Sequence, residues 1–235
     1  MEDRKFMASS SRQQGKGLRT KEELTYEALR EMILSGDVPA GEFLSQRGLA
    51  LRIGCAVVTL RAALRQLENE GLIENVPHWG VRVPVETEES LIDRYYVREV
   101  FEVEAVRQIV RNRDQLRPDG LRTLARTCDR LATEPTANPR DFGTVHFDFH
   151  QLLVEMSGSP TLARTYSRIS LKSVFLWNAV HVWKQNQPQH VGDHDELVRL
   201  LWEADEKTAV DTITRHVRRG LRDELAIMEL NARAV

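Results

Sequence analysis

The chain has 235 residues and a formal net charge of −2 at pH 7, a balance that argues against nonspecific coating of nucleic acid but leaves room for a local basic patch. Hydrophobic residues make up 41% of it and aromatics 6%, so one large or two small domains can bury a core with helix favoured over sheet, and two cysteines, Cys55 and Cys128, are too few for a disulfide framework. No stretch approaches the ~20 apolar residues that span a bilayer and no apolar run of signal-peptide length opens the chain, so a cytoplasmic protein with no membrane segment is expected.

Residues 1–20 are polar, basic and Gly/Ser/Gln-rich, and read as a disordered arm. Lys21 to Ser35 reads as a helix with Leu24, Ala28, Leu29, Met32 and Ile33 as its apolar stripe, stopped by Gly36. Ser45 can cap a second helix running to about Ile53, with Gly54 suited to a left-handed end. A third helix covers about Val57 to Glu70, with Leu60, Ala63, Leu64 and Leu67 at core spacing. Leu72–Val76 and Val81–Val85 read as strands around a Pro77-His78-Trp79-Gly80 turn. Three helices and a small hairpin over residues 21–85 make a winged helix-turn-helix.

From Glu88 to about residue 233 the pattern changes to long amphipathic helices, about 88–112, 118–133, 140–156, 160–185, 192–204 and 206–232. Pro118 and Pro139 suit helix starts, while Gly158-Ser159-Pro160 and Asn186-Gln187-Pro188 suit breaks. No strand pattern occurs there. The expected fold is therefore mostly α: a winged helix-turn-helix followed by an antiparallel bundle of about six helices.

Phe43 to Leu67 contains no acidic residue although 29% of the chain is charged, and Arg47, Arg52, Arg61 and Arg65 lie inside this window. Val57, Arg61 and Arg65 at i, i+4 and i+8 share a face of the third helix that can enter a major groove. There Arg61 can be bidentate to a guanine and Val57 can pack on a thymine methyl. Arg47 can take a phosphate or a base, and His78 and Arg82 in the wing can reach the flanking groove. The bland reading of the same arginines is a solvated basic face.

The stretch from Tyr26 to Ser45, with Leu49-Ala50, Ile53-Gly54, Leu64 to Ile73 and the wing Trp79-Gly80-Val81, resembles the DNA-binding domain of the GntR family of bacterial transcription regulators. The resemblance implies DNA contacts by Arg47 and Arg61, which match two of the family's DNA-contacting arginines, and Thr59 and Gly80 complete the candidate DNA-contacting set. One departure matters. Relatives carry a Ser/Thr-Arg-Thr-Pro-like run where this chain has Ala56-Val57-Val58-Thr59, so a hydroxyl and an arginine are missing and an atypical operator or lower affinity is expected.

In the helical half, His146 and His150 stand at i, i+4, and His194 and His216 lie on later helices that a bundle can bring together. From spacing alone they read either as metal ligands or as scattered surface and core histidines. Arg98-Glu-Val-Phe-Glu102, Phe149-His150, Asp193-His194 and the segment Ala209 to His216 resemble the all-helical FCD effector-binding domain found in one branch of the same family. That resemblance implies a divalent metal on His150, His194 and His216, with His146 standing where relatives carry Asp, and Arg98 helping to bind an effector. A four-imidazole set favours zinc, nickel or copper, with zinc or nickel foremost, over oxygen-preferring manganese or magnesium; alternatively His146 swings away and three histidines remain, leaving open positions.

The expected function is a homodimeric regulator that acts as a repressor or an activator. It binds a double-stranded operator under control of a small organic acid held at the metal site. Alternatives are a regulator for which the metal is itself the signal, a ligand-binding protein that has lost sequence-specific DNA binding, and a metal-dependent hydrolase. The chain shows no His-Glu-x-x-His motif and no nucleophile elbow for the last, so no enzyme is expected.

Overall fold

A computed structural model describes residues 19–35, 37–134, 136–169 and 193–233, with nine α-helices and one hairpin among them. The expected arm apart from its last two residues, Gly36, and the segment holding Trp177, Trp183, His190 and the Asn186–Pro188 break lie outside the described residues.

The N-terminal unit comprises α1 (Lys21–Leu34), α2 (Gln46–Ile53), α3 (Val57–Asn69), β1 (Glu74–Val76) and β2 (Gly80–Arg82). Helix α1 starts in a capping box: the Thr20 side chain accepts from the Glu23 backbone N–H and Glu23 reaches back to the Thr20 N–H. Its buried row is Thr25, Leu29 and Ile33. Leu24 and Ala28 face solvent, so the stripe sits one residue further round than the apolar pattern suggests. Thr25 is tolerated inside because its hydroxyl donates to the Lys21 carbonyl.

Ser45 caps α2 by accepting from Gly48 N–H, and Gly54 ends it at φ 75°. Helix α3 buries Leu60, Ala63, Leu64 and Leu67 against Leu29, Ile33, Leu34 and Leu49. Each such leucine contributes roughly 1.5–3 kcal/mol.

The strands are shorter than expected, pairing Glu74 with Arg82, Asn75 with Val81 and Val76 with Gly80. Leu72 belongs instead to the end of α3, where its N–H donates to the Leu67 carbonyl. On its other edge β2 bridges the segment before α2, through Leu44 N to Val81 O at 2.8 Å and Val81 N to Leu44 O at 3.0 Å. Gly80 makes that approach possible: it sits at φ 108°, and a Cβ there would lie 2.5 Å from the Leu44 carbonyl oxygen.

The second unit is helical: α4 (Glu88–Asn112), a 3-10 turn at Arg113–Gln115, α5 (Asp119–Thr133), α6 (Pro139–Glu155), α7 (Pro160–Arg168), α8 (His194–Glu203) and α9 (Glu206–Arg233). The 3-10 turn has no counterpart in the sequence reading. Pro139 occupies the first position of α6 and Ser159 caps α7, as their residue types suggest. Helix α4 packs along α9, and α5 packs on α6 and α8. The core between them holds Leu91, Tyr95, Val106, Ile109, Leu121, Phe149, Leu153, Val198, Leu201, Ile213 and Val217. Of the expected helix 160–185, the described part ends at Arg168. No helix among the described residues is long and apolar enough to cross a membrane.

Candidate metal centre and DNA-binding face

Helix α6 carries His146 and His150 one turn apart, His194 opens α8, and His216 lies on α9. One nitrogen from each imidazole falls within 4.8 Å of the others. His150 Nε2 is 3.0 Å from His146 Nε2 and 3.3 Å from His216 Nε2. His150, His194 and His216 are buried and His146 is half-buried.

Three rings have a carboxylate behind them. His150 Nδ1 is 2.9 Å from Glu102, His194 Nδ1 is 2.8 Å from Asp129, and His216 Nδ1 is 3.2 Å from Asp193. A carboxylate accepts, so each Nδ1 carries the hydrogen and each Nε2 keeps its lone pair. His150 Nε2 accepts from Arg98 Nη2 at 2.8 Å and also faces the lone pair of His216 Nε2 at 3.3 Å, a repulsion that a cation among the rings relieves. His194 Nε2 is buried without a hydrogen-bond partner, an arrangement that costs about 1–3 kcal/mol when left unmet.

These features fit a divalent cation. Tetrahedral zinc–imidazole bonds of about 2.0–2.1 Å set their nitrogens about 3.3 Å apart. The carboxylates behind the rings are the partners that orient metal-binding histidines and raise their basicity.

The electrostatics keep the His146, His150 and His216 rings neutral. Burial, with the charges of Arg98 and His216, holds His150 well below the ordinary histidine range, and burial with neighbouring His150 does the same to His146. Burial pushes His216 down to about 4, partly opposed by its bond to Asp193. Burial pushes the Asp193 carboxyl up, but hydrogen bonds from His216 and Arg219 outweigh it and hold the group well below its usual value.

Arg98 is fully buried on α4. Its Nε donates to Glu102 at 2.6 Å, its Nη2 lies 2.8 Å from His150 Nε2, and its guanidinium sits 5.1 Å from the centre of the Tyr95 ring. Glu102 also accepts from the Tyr166 hydroxyl at 2.6 Å. The Arg98 charge is therefore balanced inside the protein by Glu102.

Glu102 is legible as the residue four after Arg98 on one helix face, and Asp193 as the neighbour of His194. Nothing in the spacing points to Asp129 on α5 or Tyr166 on α7, because their roles arise from packing between distant helices. Asp148 and Glu155 on α6 are both exposed.

On the N-terminal unit, Arg47, Arg61 and Arg65 are exposed, and Arg61 Nε donates to Gln46 Oε1 at 3.0 Å. Val57 is half-buried and packs against the core, whereas its neighbour Val58 is 74% exposed. Thr59 is half-buried. His78 is exposed at φ 68° in the wing turn, and Arg82 pairs with Glu74 across the hairpin.

The two units touch where Arg140, in the first turn of α6, donates to Glu31 on α1. The helix that holds His146 and His150 is thus tied to the helix packed on α3.

Residues 21–83 match the family model described as bacterial regulatory proteins, gntR family, and residues 93–219 match that of the FCD domain. Among solved structures, the chain is similar to a GntR-family transcriptional regulator from Pseudomonas syringae pv. tomato, with 27% identity over 92% of this chain and 89% of that one and a TM-score of 0.51. A structure of Lar, described as controlling expression of the Listeria monocytogenes agr system, is 17% identical over 89% of this chain and 98% of that one, with a TM-score of 0.65. McbR/YncC from E. coli is 17% identical over 89% and 99%, with a TM-score of 0.61; these last two likenesses concern the fold alone. No curated protein sequence matches the chain.

Proposed function

Because the chain belongs to the GntR family of bacterial regulatory proteins and carries an FCD domain, a DNA-binding transcriptional regulator by family, we propose that a small organic acid bound at a metal in its helical half controls its affinity for an operator. In this reading residues 21–85 form the DNA-binding domain, residues 88–233 the effector domain and residues 1–20 a basic arm. The operator is double-stranded and the regulator acts as a homodimer and repressor.

The observation that carries the proposal is the convergence of His146, His150, His194 and His216, three of them backed by carboxylates. Zinc or nickel suits an all-imidazole donor set. The bound cation would supply the positive charge that attracts a carboxylate. Among the chain's own groups, Arg98 offers hydrogen-bond donors but little net charge, since Glu102 neutralises it. Glu102, Asp129 and Asp193 hold three rings in the tautomer that presents Nε2 to the centre.

Arg47, Val57, Thr59, Arg61, Arg65, His78, Gly80 and Arg82 form the proposed DNA-contacting set, with Arg61 aimed by its bond to Gln46. A ligand regulates only if it favours one arrangement of the DNA heads over another. The segment around Val85 to Ser90 and the Arg140–Glu31 contact are the proposed routes between the two ends.

A second reading is favoured by the same donor count. Four imidazoles complete a tetrahedral shell without any outside ligand, so the metal itself can be the signal. The deciding experiment combines metal analysis of purified protein with a thermal-shift screen of carboxylic acids, with and without zinc or nickel. The proposal expects one bound metal per chain and acid-dependent stabilisation that requires it. Stabilisation by acids in chelator-treated protein would remove the metal from the account, and stabilisation by metal with no acid response favours the second reading.

A further inference from the structure

The wing carries one Lys or Arg between Glu74 and Arg82, namely Arg82, and that charge is already engaged. Arg82 faces Glu74 in the ladder and forms an ion pair with it, and its guanidinium lies 5.1 Å from the centre of the Phe43 ring. The hairpin therefore offers a phosphate a single cation that is already paired. What it presents is an indole. Trp79 is 69% exposed at the tip, and its ring stands 5.4 Å from that of Phe43, itself 39% exposed.

This tip is held in place. His78 and Gly80 on either side of Trp79 both have positive φ, and the Leu44–Val81 bridge fixes the hairpin to the segment leading into α2. The indole thus projects from a rigid mount beside the start of the helix-turn-helix, with Phe43 and Arg82 stacked behind it.

We infer that the wing engages duplex DNA through the Trp79 ring, as an apolar contact with the edge of the groove flanking α3. Aromatic and aliphatic wedges at groove edges pack on sugars and unstacked base steps, and they release no counterions. The inference rests on the DNA-binding reading and adds to it a residue whose contribution is independent of salt. It also separates the roles within the domain: the exposed arginines of α2 and α3 answer to phosphate and base edges, and the wing to the shape of the groove.

The test uses full-length protein and a duplex that the wild type selects from a random-sequence library. Affinity is measured over a range of salt concentrations for wild type, Trp79→Ala, Trp79→Phe, Trp79→Lys and Arg65→Ala. The expected result is at least a tenfold loss for Trp79→Ala with an unchanged salt slope, and near-wild-type affinity for Trp79→Phe. Trp79→Lys is expected to leave affinity low while steepening the salt dependence, and Arg65→Ala to make it shallower by about one. Melting temperatures within a few degrees of wild type for Trp79→Phe and Trp79→Lys keep folding out of the comparison. Trp79→Ala binding within twofold of wild type overturns the inference alone, as does full rescue by Trp79→Lys. A wild type that enriches no duplex overturns the DNA-binding reading with it.

Discussion

Replacing Asp129 by Asn separates a carboxylate that holds a ligand ring from an ordinary surface acid. Asp129 Oδ1 accepts from His194 Nδ1 at 2.8 Å and from His194 N at 3.2 Å, while Oδ2 accepts from Asp195 N at 3.0 Å. Burial pushes the Asp129 carboxyl up, yet these hydrogen bonds outweigh it and hold the group below its usual range. An asparagine has one acceptor oxygen. Whichever way its amide turns, an NH2 group meets an N–H donor: either the one bond from Asp195 N or the two from His194 become donor–donor clashes. Leaving a buried donor unmet costs about 1–3 kcal/mol. If the amide turns its NH2 toward His194, the ring also loses the partner that fixes the hydrogen on Nδ1. Removing such a partner weakens metal binding about 10–100-fold. Competition against a chromophoric chelator reads that loss directly, and thermal unfolding of chelator-treated protein reads the stability part separately. Asp129→Asn protein that matches wild type both in zinc affinity, within twofold, and in chelator-treated stability would refute the reasoning, because neither His194 nor Asp195 would then need the carboxylate.

The pH dependence of stability has a definite sign. His216 titrates at about 4 in the folded chain and near 6.5 when unfolded, so protonation favours the unfolded state. The chelator-treated protein is expected to keep this contribution above about pH 6.5 and to lose about 3 kcal/mol as pH falls toward 4, with the His216→Gln variant showing a flatter urea-denaturation profile over that window. Gly80→Ala places a Cβ 2.5 Å from the Leu44 carbonyl oxygen at a positive φ, so about 2–3 kcal/mol of destabilisation is expected by chemical denaturation, together with weaker duplex binding. Arg61→Ala is expected to weaken binding of the selected duplex by about 1–3 kcal/mol in a gel shift at moderate salt. An unchanged shift would instead favour a ligand-binding protein that no longer reads DNA.

The helix-turn-helix was legible because its signals are local. Ser45, Gly54, Gly71 and the apolar spacing of α3 sit within a few residues of what they control. The α1 stripe was misplaced because Thr25, polar by type, satisfies its hydroxyl within the helix and turns inward, while Leu24 and Ala28 face solvent. Strand ends were overrun because Leu72, Ile73 and Val83 are buried by packing without sharing the hairpin's ladder. Val57, expected on the outer face, is half-buried at the start of α3, with part of it against the core, while Val58 is 74% exposed.

In the helical half, i, i+4 spacing joins His146 to His150, but only the bundle brings His194 and His216 to them. The carboxylates behind the rings come from α4, α5 and the residue before α8, which no spacing rule connects. Family resemblance supplied the histidine positions. The three-dimensional packing added Asp129 and Tyr166 and showed that the Arg98 charge is already matched by Glu102.

The proposed link between an organic acid and the operator is a metal on the four histidines. Its most direct test is the affinity of full-length protein for the selected duplex at buffered free zinc, with and without the stabilising carboxylic acid, for wild type and His150→Ala. The account expects at least a tenfold acid-dependent change in the wild type that disappears in the variant and in chelator. The same change in both proteins, or in chelator, would contradict it.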